Sequence, residues 1–178
     1  MGNLAEHHYM VSVIAWQLAS SVNSVGAKLD IAKVFEFASI HDIGELFGGD
    51  ISMPYAKANP KAREYAKKFE AENHSYIAKF FGDQSDHFKR LSAEILDAES
   101  DEAHIVKIAD YIEVTHYKFF IGRFVQSDIE LISEKMDKMI SGMKDKIARK
   151  ELTAFVKEWK KEMSGLTNYP DTIHRIIS

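Results

Sequence analysis

The chain has 178 residues, 46% of them hydrophobic, with a formal net charge of −4 and no cysteine. That is enough apolar mass for one domain with a sizeable core, and it excludes an intrinsically disordered chain. The interspersed charges argue against a nucleic-acid polymer as partner, which asks for a basic excess, and the lack of cysteine excludes disulfides and thiolate metal ligands.

In chain order, Asn3 can cap a first helix over about Leu4 to Val22, with Leu4, Val11, Ile14 and Leu18 as its apolar stripe and Val13 and Trp16 beside it. Asp30 caps a second, whose apolar run (Ile31, Val34, Phe35, Ala38, Ile40) ends in His41-Asp42-Ile43-Gly44-Glu45. Phe47 to Asn59 reads as loop. Pro60 suits the first turn of a third helix that continues to Phe81, with Phe69, Tyr76, Ile77 and Phe80 as apolar contacts. A fourth spans about Gln84 to Asp97, and Ser100-Asp101 starts a fifth with Ile105, Ile108, Ala109 and Ile112 on one side. Ser127 and Glu130 form a capping box for a sixth, lined by Met136, Met139, Ile140 and Met143. A seventh holds Leu152, Phe155, Val156 and Trp159, and an apolar tail (Leu166, Tyr169, Ile173, Ile176, Ile177) is expected to pack back on the body. With no strand alternation the expected class is all-α. No apolar run approaches about 18 residues, so no transmembrane helix is expected. No charged-then-apolar leader opens the chain, so no signal peptide is expected, and a cytoplasmic location fits.

His41 and Asp42 set an imidazole nitrogen beside a carboxylate, both ligands for borderline transition metals. If the helix continues, Glu45 shares a face with His41. Asp110 lies inside the apolar run Ile105 to Ile112, where an uncompensated carboxylate is costly to bury. His7 falls early in the first helix. Two nitrogens and two oxygens from three helices would suit Mn, Fe, Co, Ni or Zn and leave positions for water and substrate.

Ala5-Glu6-His7, His41-Asp42 and Ala109-Asp110, in that order, resemble the H…HD…D signature of HD-domain metal-dependent phosphohydrolases. Asn3 to His7, His41 to Leu46, Gly49-Asp50-Ile51, and Ser100 to Ala103 before Val106 to Asp110 are similar to the 5'-deoxynucleotidase group, over roughly residues 3 to 125. The resemblance implies an HD-type helical bundle with extra C-terminal helices over about 127–178. It implies one divalent metal held by His7, His41, Asp42 and Asp110, and hydrolysis of nucleoside 5'-monophosphates with deoxyribose preferred. By the same resemblance Glu45 orients or deprotonates the attacking water, and Asp50 works beside it on water or sugar. One departure is plain: the family's arginine ahead of the Ala-Glu-His block has no counterpart here. Either a leading segment lies outside this sequence or another cation takes its place. Lys57, Lys61, Arg63, Lys107 and Arg123 are candidates, with Lys107, one turn before Asp110, the best placed to bind substrate.

His8 is read as a bystander, and His74, His87, His104, His116 and His174 as surface or core histidines. The methionine stripe reads as helix packing, and the apolar C-terminal helices suit a homodimer. Two other readings stay open: a triphosphohydrolase or phosphodiesterase with the same metal site, and a non-catalytic helical module whose metal is structural or absent.

Overall fold

In a computed structural model that describes residues 3–166, these residues form α-helices joined by short loops and two 3-10 turns, and no strand occurs among them. The helices are α1 (Leu4–Ser24), α2 (Ile31–Ile40), α3 (Met53–Ala58), α4 (Pro60–Ile77), α5 (Ser85–Asp97), α6 (Asp101–Phe120), α7 (Gln126–Gly142) and α8 (Lys146–Ser164). The fold is the expected all-α bundle. α1 packs on α2 and α6, α2 packs on α6, and α7 bridges α6 to α8, which returns to α1. Val11, Ala15, Val34, Phe37, Ile105, Ile108 and Met136 meet at 0% exposure in this core.

Caps fix the helices that carry the site. Asn3 Oδ1 accepts from the Glu6 amide at 3.0 Å, Asp30 accepts from the Ala32 and Lys33 amides, and Ser100 Oγ from the Ala103 amide. Each such cap contributes about 1 kcal/mol. The Asp101 carboxylate also accepts from the Lys144 and Asp145 amides, which ties the start of α6 to the loop before α8.

Several sequence expectations give way. The Phe47–Asn59 segment is not all loop: Met53–Ala58 forms α3, a single short turn region that lacks the length for a periodic signal. α4 ends at Ile77 and tightens into the 3-10 turn Ala78–Gln84, broken at Gly82 (φ 51°). Ser127 caps nothing, because α7 begins at Gln126 with Val125 as its cap residue, leaving Ser127 inside the first turn. Phe69, Tyr76 and Phe80 are 49%, 49% and 74% exposed, so only Ile77 of that expected set reaches the core. Trp16, Val13 and Phe155 are likewise exposed. Met136 and Met143 are spent on the core, as packing requires. Leu166 packs on the body, while Tyr169, Ile173, Ile176 and Ile177 lie outside the described residues, as does His174.

Candidate metal centre

The site forms where three helices meet. His7 stands one turn into α1, on the stripe it shares with buried Val11, Ala15 and Leu18. His41 caps the C-terminus of α2 and is fully buried. Asp42 follows it, and Asp110 projects from the middle of α6 among buried Ile108, Ala109 and Ile112. One ligand atom from each of these four residues lies within 4.8 Å of all the others. His7 Nε2 is 3.2 Å from His41 Nε2 and 3.4 Å from an oxygen of Asp42 and of Asp110.

The outer hydrogen bonds decide what these atoms offer. His41 Nδ1 donates to the Ala38 carbonyl at 2.9 Å, and His7 Nδ1 donates to Glu113 Oε2 at 2.7 Å. Both acceptors claim the Nδ1 proton, so each imidazole presents Nε2 to the cluster. With His7 neutral, two nitrogen lone pairs and two carboxylates face one point. Such a set needs a cation, and its N₂O₂ chemistry fits a divalent transition metal.

Electrostatics agree. Burial opposes charge on His7, but hydrogen bonds to Asp42 and Glu113 and the charge of Asp110 outweigh it and carry its pKa up to about 10. Without a metal, a proton on His7 is therefore the cation of the cluster. Burial, helped by Lys107 and His8, pulls His41 down to about 4, the neutral state a ligand requires. Asp42 is held well below the usual carboxylate range: burial resists, but His7, His41 and Lys107 prevail. Burial and the charge of Asp42 push Asp110 up.

Glu45 does not arrive on a continued helix. α2 stops at Ile40, and Glu45 sits in the 3-10 turn Ile43–Phe47, its amide bonded to the Asp42 carbonyl at 2.9 Å. α4 backs this turn: Asn73 Nδ2 donates to the Gly44 carbonyl at 2.7 Å, and Phe69 lies against Gly48. Between the turn and α3–α4 opens a cleft of roughly 660 Å³ whose walls include Glu45, Asp50, Glu70 and the rings of Tyr55 and Tyr65. Burial first, then the charges of Asp42, Asp50 and Glu70, lifts the Glu45 carboxyl to about 7. Burial also raises Asp50 and Glu70.

The candidate cations separate. Lys107 acts on Asp42, Asp50, Glu70 and Asp110, joined by Lys67 at Glu70. Lys57 and Arg63 line the cleft, Lys61 stands over the Tyr65 ring at 5.9 Å, and Arg123 lines a separate pocket beside Glu113. Two carboxylates escape the sequence reading. Glu113 follows Asp110 by three residues, so helical spacing alone placed it on the same face, whereas Glu70 carries no signal within a polar helix. His8 rests against His41 with ring centroids 4.8 Å apart, and its buried Nε2 has no hydrogen-bond partner among the described residues. His74 is a core histidine, with Nδ1 3.0 Å from Ser92 Oγ.

The HD domain family matches residues 2–121. Over 113 residues the chain is 31% identical to a 5'-deoxynucleotidase of Pasteurella multocida (strain Pm70), covering 62% of this chain and 57% of that protein. Over 111 residues it is 29% identical to a 5'-deoxynucleotidase of Vibrio vulnificus (strain YJ016), with the same coverage of 62% and 57%. The match thus spans a little over half the length of these relatives. A conserved hypothetical protein from Pyrococcus furiosus has the same fold, with a TM-score of 0.64 over 88% of this chain and 83% of that one at 23% identity. The chain belongs to the HD-domain family and, within it, is similar to 5'-deoxynucleotidases.

Proposed function

We propose that this protein is a divalent-metal-dependent phosphohydrolase that converts (deoxy)nucleoside 5'-monophosphates to nucleoside and phosphate. The observation that carries this reading is the convergence of His7, His41, Asp42 and Asp110 within 4.8 Å, next to a cleft walled by Glu45 and Asp50. The similarity to 5'-deoxynucleotidases supports the choice of substrate.

His7 and His41 through Nε2, and Asp42 and Asp110 through one oxygen each, would hold the ion. A bound divalent ion lowers the pKa of water from about 15.7 toward about 7 and offsets phosphate charge. The remaining work falls to the chain. Glu45 takes the proton of the attacking water. Its carboxyl, lifted to about 7, straddles neutral pH, and a cation in the cluster draws it back toward the ionised form that a base needs. Asp50, on the same wall, orients the water or a sugar hydroxyl. Glu113 and the Ala38 carbonyl keep both imidazoles turned the right way. The rings of Tyr55 and Tyr65 offer faces for a base.

The test is a phosphate-release screen over nucleotides, on chelator-stripped protein resupplied with Co, Mn, Ni, Fe or Zn. Release from dAMP, with none from dATP or a phosphodiester, is expected. No release from any nucleotide with any of these ions would defeat the reading.

A further inference from the structure

We infer that Glu70 reads the sugar of the substrate, its carboxyl accepting a hydrogen bond from the 3'-hydroxyl of the nucleotide. The inference deepens the proposed function and rests on it for the nucleotide itself. Glu70 comes from α4 and lines the cleft together with Glu45 and Asp50. Its side-chain stem lies against the turn that carries Glu45, since a Cβ on Gly44 would stand 3.1 Å from Glu70 Cγ. Asn73, on the next turn of α4, holds the Gly44 carbonyl at 2.7 Å, so the register of helix against turn is fixed. The half-buried Glu70 carboxyl makes no ion pair and no side-chain hydrogen bond among the described residues. Its neighbours on the wall are themselves carboxyls: Asp50 acts on Glu70, and Glu70 acts on Glu45, as like charges. An acceptor in such surroundings gains from a ligand that brings a donor.

The order of residues along α4 selects the donor. Ala62, Ala66 and Glu70 recur every four residues, so they share one face of the helix, and all three line the cleft. Glu70 is at the end beside the Glu45 turn. The alanines lead away from it by about 6 Å per four residues, between the rings of Tyr55 and Tyr65 on the cleft walls. On the other side of the turn is Asp42 of the metal cluster. From the cluster outward the cleft therefore offers an ion, a carboxyl and an apolar floor between rings. A nucleotide runs in the same order: phosphate, sugar, base. With its phosphate at the cluster and its base over the alanines, its sugar faces Glu70. A 2'-deoxyribose joined through its 5'-oxygen and its base keeps one hydroxyl, the 3'. A carboxyl has an accepting oxygen for that hydroxyl in either ionisation state.

The experiment is isothermal titration of metal-loaded Glu45→Gln protein with dAMP and with 2',3'-dideoxyadenosine 5'-monophosphate, which lacks the 3'-hydroxyl. With Glu70 in place, dAMP is expected to bind about tenfold or more tighter, the size of one hydrogen bond to a charged group. Adding Glu70→Ala is expected to weaken dAMP by that factor, leave the dideoxy ligand unchanged and so erase the preference. Glu70→Gln keeps an accepting oxygen without the charge and is expected to restore about threefold of it. Ion content measured on each variant separates a lost sugar contact from a disturbed cluster. Equal affinity for the two ligands with Glu70 present overturns the inference. So does a Glu70→Ala protein that keeps the preference, or one that weakens both ligands alike, as a merely structural side chain would. Phosphate release by the wild type decides the hydrolase reading separately. Release from both nucleotides at equal kcat/KM would keep that reading and overturn the sugar contact. A Glu70-dependent preference in binding, with no release from any nucleotide, would sustain the sugar contact and remove the hydrolase reading.

Discussion

Replacing Glu113 tests whether this carboxylate of α6, one turn after Asp110, governs the ion as well as the fold. Its Oε2 receives the His7 Nδ1 proton at 2.7 Å, between side chains only 13% and 3% exposed. Glu113→Ala leaves a buried N–H without an acceptor, which costs about 1–3 kcal/mol. It also frees the imidazole to turn or change tautomer. Losses of outer-sphere partners of this kind lower metal affinity about 10–100-fold. An opposing effect must be separated. Glu113 helps raise His7 to about 10, so its removal also eases proton loss from His7 and lets the ion enter more readily at neutral pH. The affinity deficit should therefore widen from pH 7 to pH 9, as proton competition fades. Glu113→Gln keeps an acceptor but not the charge. Charge-assisted bonds are about twice as strong as neutral ones, so roughly half the free energy survives and the loss is about 3–10-fold. Competition against a fluorescent chelator, with circular dichroism as the check on folding, reads all of this. Wild-type affinity in Glu113→Ala at both pH values would refute the reasoning.

Glu45→Ala is expected to keep the ion and lose about 10²–10⁴-fold in phosphate release, as removal of a general base does; metal analysis beside a rate assay checks both halves. His8→Ala is expected to leave ion content and turnover largely unchanged, and an inactive, ion-free variant would make His8 the ligand in place of His7. Gly44→Ala places a Cβ 2.8 Å from His74 Cδ2 and 3.1 Å from the Glu70 carbonyl oxygen, so the Glu45 turn must shift. Overpacking of this kind costs about 1–3 kcal/mol, and a urea midpoint equal to wild type would contradict it. The pH dependence follows from signs. His7, raised to about 10, stabilises the ion-free fold fully below its unfolded value of 6.5, and that stability is lost as pH rises toward 10. His41, lowered to about 4, contributes stability above 6.5 that is lost as pH falls toward 4. Ion binding at pH 7 should accordingly expel about one proton from His7, measured by calorimetry in buffers of different ionisation enthalpy.

The site was legible in the sequence to the degree that its residues sit on strongly periodic helices. His7 lies on the Val11–Ala15–Leu18 stripe, and Asp110 interrupts an unbroken apolar run, so burial and chemistry were both written in the spacing. What was not legible depends on contacts distant in the chain. Glu70 and Asn73 reach the Glu45 turn only because α4 folds back over it. Lys135 joins the cleft only through the packing of α7 on α6. The exposed rings of Phe69, Tyr76 and Phe80 mislead for the opposite reason: aromatic content suggested core where α4 and the 3-10 turn after it expose these side chains. The Ser127–Glu130 pair matched a cap pattern two residues past the cap residue Val125, since α7 begins at Gln126.

The central claim is that His7, His41, Asp42 and Asp110 hold one divalent ion together. Ion stoichiometry after stripping and resupply, for wild type, His41→Ala and Asp110→Ala, tests it most directly. The account predicts close to one ion per wild-type chain and almost none in either variant, with helical content retained. Equal occupancy in wild type and Asp110→Ala would contradict it.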